Sequence, residues 1–128
     1  MPARILIIED NPASLELLRY LLSGAGHSTT SASDGATGLA LALEAQHDLI
    51  LCDLQLPEMD GIELVRRLKA ANPAAPPIVA VTAYSMPGDQ EAAIAAGFDG
   101  YLTKPIDPET LLQEVDKYLP AGRPKPGA

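Results

Sequence analysis

The chain has 128 residues, of which 47% are hydrophobic, and a net charge of -8 with no Trp. This length suits one domain that buries about two-thirds of its unfolded surface. The acidic balance argues against non-specific binding of nucleic acid, which needs clustered Lys and Arg, and no apolar run approaches the roughly 20 residues of a membrane span. We therefore expect a cytoplasmic protein in which Cys52 is a small buried hydrophobe.

The chain opens with a strand, an acidic turn and a helix. Residues 4–9, RILIIE, are apolar and β-branched and predict a buried strand that ends on two acids, Glu9 and Asp10. Asn11 then stands as a candidate N-cap, with Pro12 at the first helical position. Leu residues repeat along one face of the predicted helix, which indicates that this face packs on a core.

The next two strands differ in character. Residues 27–32, HSTTSA, are β-prone but polar, which favours a strand at the edge of a sheet. An Ala- and Leu-rich helix follows from Gly35 to about Gln46. Residues 49–52, LILC, are a continuous apolar run, typical of a parallel strand that is buried on both faces. Asp53 comes directly after this run, so its carboxylate is expected at the mouth of a site.

A third helix and a fourth strand follow. Apolar residues keep helical spacing from residue 62 to the Asn72-Pro73 pair, where proline ends the helix. Residues 78–81, IVAV, predict another buried strand, which ends on Thr82. The next helix, closed by Gly97, consists almost entirely of small residues. We therefore expect it to be among the less firmly held elements.

The last strand, residues 100–103, leads into Lys104-Pro105, and Pro108 begins a final helix. One folded domain is predicted over residues 1–120. Residues 121–128 are rich in Pro and Gly and contain Arg123 and Lys125 but no acid, so we predict a disordered tail there.

Five strands that alternate with five helices predict a parallel sheet, because parallel neighbours need crossover helices. The expected fold class is α/β: a doubly wound, flavodoxin-like (βα)5 three-layer sandwich with the strand order 2-1-3-4-5. In this order the polar second strand lies at the edge. The site is expected where strands 1 and 3 diverge, which brings Glu9, Asp10 and Asp53 into one cleft.

Three carboxylates in one cleft repel each other unless protons or a cation intervene. A hard divalent ion with oxygen ligands answers this best, and Mg²⁺ fits because it keeps several waters and takes one or two carboxylates directly. Mn²⁺ is the alternative. Thr82 and Lys104 follow two further strands and offer a hydroxyl and an ammonium to a phosphoryl group. An Asp nucleophile beside a metal and a Lys is suited to forming an aspartyl-phosphate.

Each of these residues also has a structural interpretation. Taken alone, Lys104 could be a solvated surface residue, Thr82 a strand residue, and the two acids before Asn11 helix-start residues. Four of the five strands, however, carry a chemically matched group at the same end, which independent accidents would seldom produce. His27 and His47 lack metal-ligand spacing with the cysteine and are expected to face solvent. No glycine-rich phosphate loop is present, which argues against binding of ATP.

Four motifs in order, IIEDN, LILCDLQLPEMDG, VAVTA and YLTKP, resemble the receiver domains of response regulators in two-component signalling. The resemblance spans residues 4–119. It implies that Asp53 is the phosphoacceptor and that Glu9, Asp10, Asp53 and the main-chain carbonyl of Gln55 bind Mg²⁺. It also implies that Thr82 and Lys104 contact the phosphoryl group, that Thr82 and Tyr101 form the switch, and that the Lys104-Pro105 peptide is cis.

The resemblance also implies partners. A histidine kinase or histidine phosphotransferase would donate the phosphoryl group, and a downstream protein would bind the face made by helix 4, strand 5 and helix 5. The chain is similar to stand-alone regulators of the DivK type, which act in cell-cycle and polarity control. Gln55 and Tyr84 occupy positions that influence hydrolysis of the phosphoaspartate in this family. The bulky ring of Tyr84 leads us to expect slow autodephosphorylation.

Three other functions compete with this interpretation. The first is a phosphorylation-independent adaptor that keeps the cleft as a relic, which the intact Asp53, Lys104 and acid pair argue against. The second is a phosphatase of the haloacid dehalogenase type, which needs a general acid two residues after its nucleophile, where Gln55 stands. The third is the receiver fragment of a hybrid histidine kinase; because Met1 is followed at once by a strand, we expect a whole protein instead.

Overall fold

The computed structural model describes residues 3–119, so the predicted tail over residues 121–128 lies outside the described residues. Strands and helices alternate along the chain as follows: β1 (Arg4–Ile8), α1 (Pro12–Gly24), β2 (Ser28–Ala32), α2 (Gly35–Glu44), β3 (Leu49–Cys52), α3 (Gly61–Ala71), β4 (Ile78–Thr82), α4 (Asp89–Ala96), β5 (Gly100–Thr103) and α5 (Pro108–Tyr118).

The five strands form one parallel sheet in the order β2-β1-β3-β4-β5. Ile8 aligns with Ala32 of β2 and with Cys52 of β3, and Thr82 aligns with Thr103. The carboxyl ends of these strands therefore meet along one edge of the sheet. The predicted fold class and strand order are confirmed.

Alternating side chains of the strands feed two hydrophobic layers, one on each face of the sheet. Leu6, Ile8, Ile50 and Cys52 belong to a core that α2, α3 and α4 complete. Their neighbours Ile5, Ile7, Leu49 and Leu51 belong to a second core with α1 and α5. Because both faces of β1 and β3 are covered, these strands have no polar face, as their apolar runs predict.

Four helices begin at a side chain that caps them. Asn11, Asp34, Asp60 and Asp107 each accept a hydrogen bond from the backbone N–H three residues later. The exception is α4, which begins after Gly88 in the left-handed region, at φ 96°, without a side-chain cap. The amino end of α4 is thus less well satisfied than those of its neighbours.

The structure alters some details of the sequence predictions. His27 is only 8% exposed, and the backbone N–H of Ala3 donates to its Nδ1 at 3.4 Å, so the prediction that His27 faces solvent is wrong. Helix α2 ends at Glu44 rather than near Gln46 because Ala45 leaves it in an extended conformation. Cys52 is buried, as predicted, and burial raises the pKa of its thiol. Within residues 3–119, no helix is both long enough and apolar enough to cross a membrane.

Candidate functional site

Asp53 is the first residue beyond β3, and the sheet still holds its backbone. Its N–H donates to the carbonyl of Ile8 at 2.9 Å, and its side chain is buried, with 3% of the residue exposed. Its Oδ1 accepts a hydrogen bond of 2.9 Å from the backbone N–H of Gln55. The loop after β3 therefore folds back over the acid and orients the carboxylate.

Gly61 allows this loop to close tightly. A Cβ at this position would lie 2.6 Å from the carbonyl oxygen of Asp53, closer than real side chains approach backbone, so only glycine fits without a shift. The N–H of Gly61 donates to the carbonyl of Leu54 at 3.0 Å. Gly61 is the last residue of the LILCDLQLPEMDG motif, but its packing against Asp53 was not predicted from the sequence, because it depends on how closely α3 approaches the strand end.

Glu9 and Asp10 lie on the neighbouring strand end. Glu9 is 2% exposed; its N–H donates to the carbonyl of Ala32 at 2.9 Å, and its Oε2 accepts from the N–H of Asn11 at 3.1 Å. Asp10 is exposed. One carboxylate oxygen from each of Glu9, Asp10 and Asp53 lies within 4.8 Å of the others. The structure thus brings together the three acids that the sequence placed in one cleft.

Lys104 joins the cleft from beyond β5. Its backbone N–H donates to the carbonyl of Thr82 at 2.8 Å, and the Lys104-Pro105 peptide is cis, as the resemblance implied. Its Nζ lies 2.7 Å from Oε1 of Glu9 and 2.9 Å from Oδ2 of Asp53. The ammonium of Lys104 therefore bridges the two buried carboxylates, although Lys104 and Asp53 are 51 positions apart in the sequence.

Burial and charge act in opposite directions on these groups. Burial raises the pKa of the Glu9 carboxyl above its usual value, and the contact with Lys104 only partly opposes this. Burial alone would lower the pKa of the Lys104 ammonium, but its close contacts with the Glu9 and Asp53 carboxylates outweigh burial and raise it. Lys104 is therefore a cation throughout the physiological pH range, and its charge is directed at Asp53.

The donor set of this cleft fits a hard divalent cation. Three carboxylates converge within the distance that one ion can span. Oε1 of Glu9 is buried and receives no well-directed hydrogen bond from residues 3–119, so the ammonium of Lys104 at 2.7 Å is what balances its charge. An oxygen in this state is available as a metal ligand.

Thr82 and Tyr101 lie on the adjoining strands. Thr82 is fully buried, and its Oγ1 accepts a hydrogen bond of 3.3 Å from the N–H of Tyr84. The hydroxyl of Tyr101 donates to the carbonyl of Tyr84, while the ring of Tyr84 is exposed. Within residues 3–119, no hydrogen bond joins Thr82 or Tyr101 to the three acids. Both residues instead meet the same β4–α4 loop.

Comparison with known proteins agrees with this geometry. The family model for the response regulator receiver domain matches residues 5–116. The polar-differentiation response regulator DivK of Brucella anthropi is 38% identical over 120 residues, which cover 93% of this chain and 98% of that protein.

Two solved structures share the fold closely. The chemotaxis protein CheY4 of Vibrio cholerae has a TM-score of 0.85 at 30% identity, and the match covers 93% of this chain and 100% of that one. The receiver domain of the sensor histidine kinase PA1611 of Pseudomonas aeruginosa, solved with a magnesium ion in its active site cleft, has a TM-score of 0.85 at 31% identity and covers 92% and 98%. With nearly its whole length matched, this chain belongs to the response regulator receiver domains of two-component systems.

Proposed function

We propose that this chain is a phosphorylation-switched signalling protein that accepts a phosphoryl group onto Asp53 from a histidine kinase or histidine phosphotransferase. A receiver domain is a signalling domain rather than a classical enzyme, and in this proposal it extends over residues 1–120. The observation that carries the proposal is the ammonium of Lys104, 2.9 Å from a buried Asp53 and beside two further carboxylates. Such a cleft neutralises the charge of an incoming phosphoryl group on one side and can hold a metal on the other.

The transfer is a displacement at phosphorus. An oxygen of Asp53 bonds to phosphorus as the P–N bond of the donor phosphohistidine breaks, and the electron pair returns to the imidazole, which takes up a proton. The hydrogen bond from the N–H of Gln55 to Oδ1 of Asp53 holds the carboxylate in one orientation for the transfer. Lys104 lies against Oδ2 and balances negative charge there.

Glu9, Asp10 and Asp53, with the main-chain carbonyl of Gln55, are the residues that would hold Mg²⁺, or Mn²⁺ in its place. When bound, the ion supplies positive charge to the phosphoryl oxygens. The magnesium in the PA1611 receiver domain, which shares the fold of this chain, supports this assignment. Burial of Glu9 favours its use as a ligand, because a cation stabilises the charged form that burial disfavours.

The output in this proposal is the binding of a partner protein. Thr82 would turn its hydroxyl from the N–H of Tyr84 toward the phosphoryl group, and Tyr101, now bonded to the carbonyl of Tyr84, would turn inward. The face formed by α4, β5 and α5 would change as a result. A partner shifts this equilibrium only by preferring one of the two states.

Intact mass after incubation with acetyl phosphate tests the proposal. We expect the parent to gain one phosphoryl group, about 80 Da, only when Mg²⁺ is present, and Asp53→Asn to gain nothing. Asp60→Asn is the matched control: it removes an exposed carboxylate from the same loop but keeps a residue that can cap α3. It should be phosphorylated like the parent. A parent that gains no mass under any of these conditions would overturn the proposal in favour of the adaptor.

The lifetime of the phosphoryl group gives a second prediction. Tyr84 is 43% exposed, and its backbone is bonded to Thr82 at the edge of the cleft, where its ring can screen the acid from water. We expect Tyr84→Ala to lose phosphate several-fold faster than the parent, as followed by intact mass once the donor is removed. Met86→Ala changes a side chain that is 72% exposed in the same loop and should leave the rate unchanged. Equal rates for Tyr84→Ala and the parent would contradict a screening role.

A further inference from the structure

A groove of about 440 Å³ runs along the amino-terminal half of α5 and borders β5. Its apolar part includes the ring of Tyr101 together with Pro105, Ile106 and Leu111. The two charged residues in its lining, Asp107 and Glu114, are both acids and lie two helical turns apart on α5. The groove therefore combines an aromatic and proline-lined surface with negative charge along one side.

The negative charges of the two acids in this groove are only partly balanced by nearby cations. Asp107 is exposed, and its Oδ2 accepts hydrogen bonds from the N–H and the hydroxyl of Thr110, which hold the pKa of its carboxyl below the usual value. Asp107 is therefore ionised, and it has no ion-pair partner within residues 3–119. Glu114 pairs with Lys117 at 2.7 Å. The other lysine of this region, Lys104, points into the Asp53 cleft instead.

The sequence beyond the described residues has the complementary chemistry. Residues 120–128, PAGRPKPGA, contain two cations, Arg123 and Lys125, no acid and three prolines. Proline-rich segments that carry cations bind grooves lined by aromatic rings, since they lose little conformational entropy on binding. We propose that residues 120–128 bind in the groove along α5 of the same chain, with Arg123 toward Glu114 and Lys125 toward Asp107.

The length of this segment matches the helix. Asp107 precedes Leu119 by 12 residues, about 18 Å along an α-helix. Lys125 follows Leu119 by six residues, of which a reversing turn uses about two, so about four residues run back along the helix, or about 12 Å in a polyproline conformation. Leu119 itself is extended, at φ -77° and ψ 149°, so the chain has already left the helix there. After this turn Arg123 lies about 6 Å back along α5, close to the level of Glu114 at about 8 Å, and the side chain of Lys125 has to span the remaining distance of about 6 Å to Asp107.

Because residues 120–128 are covalently joined to α5, weak contacts are sufficient for them to bind in the groove. A segment joined to its site by a few residues acts at an effective concentration in the millimolar range, so two solvent-exposed ion pairs and some proline contacts produce partial binding without strong affinity. Salt should weaken it, because exposed ion pairs are screened. The groove is lined by residues of α4, β5 and α5.

A spin label on the segment tests this proposal in the full chain. Cys52 is buried, so Ala128→Cys introduces the one readily accessible thiol for a nitroxide. We expect the label to broaden the amide NMR signals of Tyr101, Ile106 and Thr110 more than those of α1. Adding Arg123→Glu and Lys125→Glu, or Asp107→Asn and Glu114→Gln, should remove at least half of this excess broadening. Asn at position 107 can still cap α5.

Arg66→Glu is the matched control, because it reverses an exposed cation of α3 outside the groove lining and should leave the broadening unchanged. Broadening spread evenly over the surface, or unaffected by both pairs of charge changes, would overturn the proposal and agree with the disordered tail predicted from composition. These measurements need no phosphoryl donor. Their failure would leave the role proposed for Asp53 intact.

Discussion

Helices α3 and α4 pack on the same face of the sheet, yet they are held in very different ways. Leu64, Val65 and Leu68 of α3 are fully buried, whereas Ala93 is the one buried residue described in α4. The side chain of Asp60 caps α3, and α4 starts at Gly88 without a side-chain cap. Large buried side chains stabilise a helix far more than small ones do, so α4 should open at a lower free energy than α3.

This contrast suits the proposed switch. Gly61, the first residue of α3, packs against the backbone of Asp53, so a firmly held α3 keeps the acceptor in place. The loop before α4 contains Tyr84. Its backbone N–H donates a hydrogen bond to Thr82, and its carbonyl accepts one from the hydroxyl of Tyr101. An element that has to move belongs at the low-stability end of a fold, and one that positions chemistry does not. The burial pattern agrees with the small-residue composition of α4, while its lower stability stays a prediction.

Truncating one large side chain in each helix should expose the contrast most clearly. Leu68→Ala removes a fully buried side chain of α3 and should lower the free energy of unfolding by about 2–5 kcal/mol, since it leaves a cavity. Ile94→Ala in α4 shortens a side chain that is 44% exposed, and it should change the free energy of unfolding by about 0.5 kcal/mol or less. Urea denaturation measures both variants. Similar losses would show that α4 is anchored as firmly as α3.

The helix caps should give a smaller difference. Oδ1 of Asp60 accepts a hydrogen bond of 2.9 Å from the N–H of Glu63, and Asp60→Ala should cost about 0.5–2 kcal/mol of stability. Asp60→Asn can accept the same bond and should stay close to the parent in the same denaturation experiment. Gly88, the N-cap residue of α4, has no side chain, so no equivalent substitution can remove a capping hydrogen bond from α4. If Asp60→Ala and Asp60→Asn are equally stable, the cap does not contribute to the stability of α3.

The pH dependence of a capped helix should be the smallest effect. Hydrogen bonds from Thr110 lower the pKa of Asp107, the cap of α5, so its contribution to stability is present above the unfolded pKa of about 4 and is lost as the pH falls through the folded value. The difference in thermal midpoint between the parent and Asp107→Asn should therefore shrink on acidification. Glu109→Gln is the control for removing a carboxylate from the first turn of α5 without touching the cap. A difference for Asp107→Asn that is constant from neutral to acid pH would contradict this role.

Most of the fold could be predicted because its signals are local. Asn11-Pro12 and Asp107-Pro108 begin helices where the sequence placed them, and the run LILC is a strand with the predicted bounds. The end of α2 was harder, since Ala45 and Gln46 have no strong stop signal and a helix boundary depends on what the next segment contacts. The burial of His27 had no local signal, because the residue contacts Ala3, which lies just before β1 and 24 positions earlier in the chain.

The sequence by itself determined the elements, the sheet type and the end of the sheet where Glu9, Asp10, Asp53 and Lys104 lie, because strand and helix periodicity and parallel connectivity are properties of the chain order. Only the tertiary structure decided how these groups meet. The ammonium of Lys104 bridges Glu9 and Asp53 at 2.7 and 2.9 Å, while Thr82 and Tyr101 contact Tyr84 instead of the acids. Such pairings depend on the packing of segments far apart in sequence, and no local pattern encodes the rotamer or the distance.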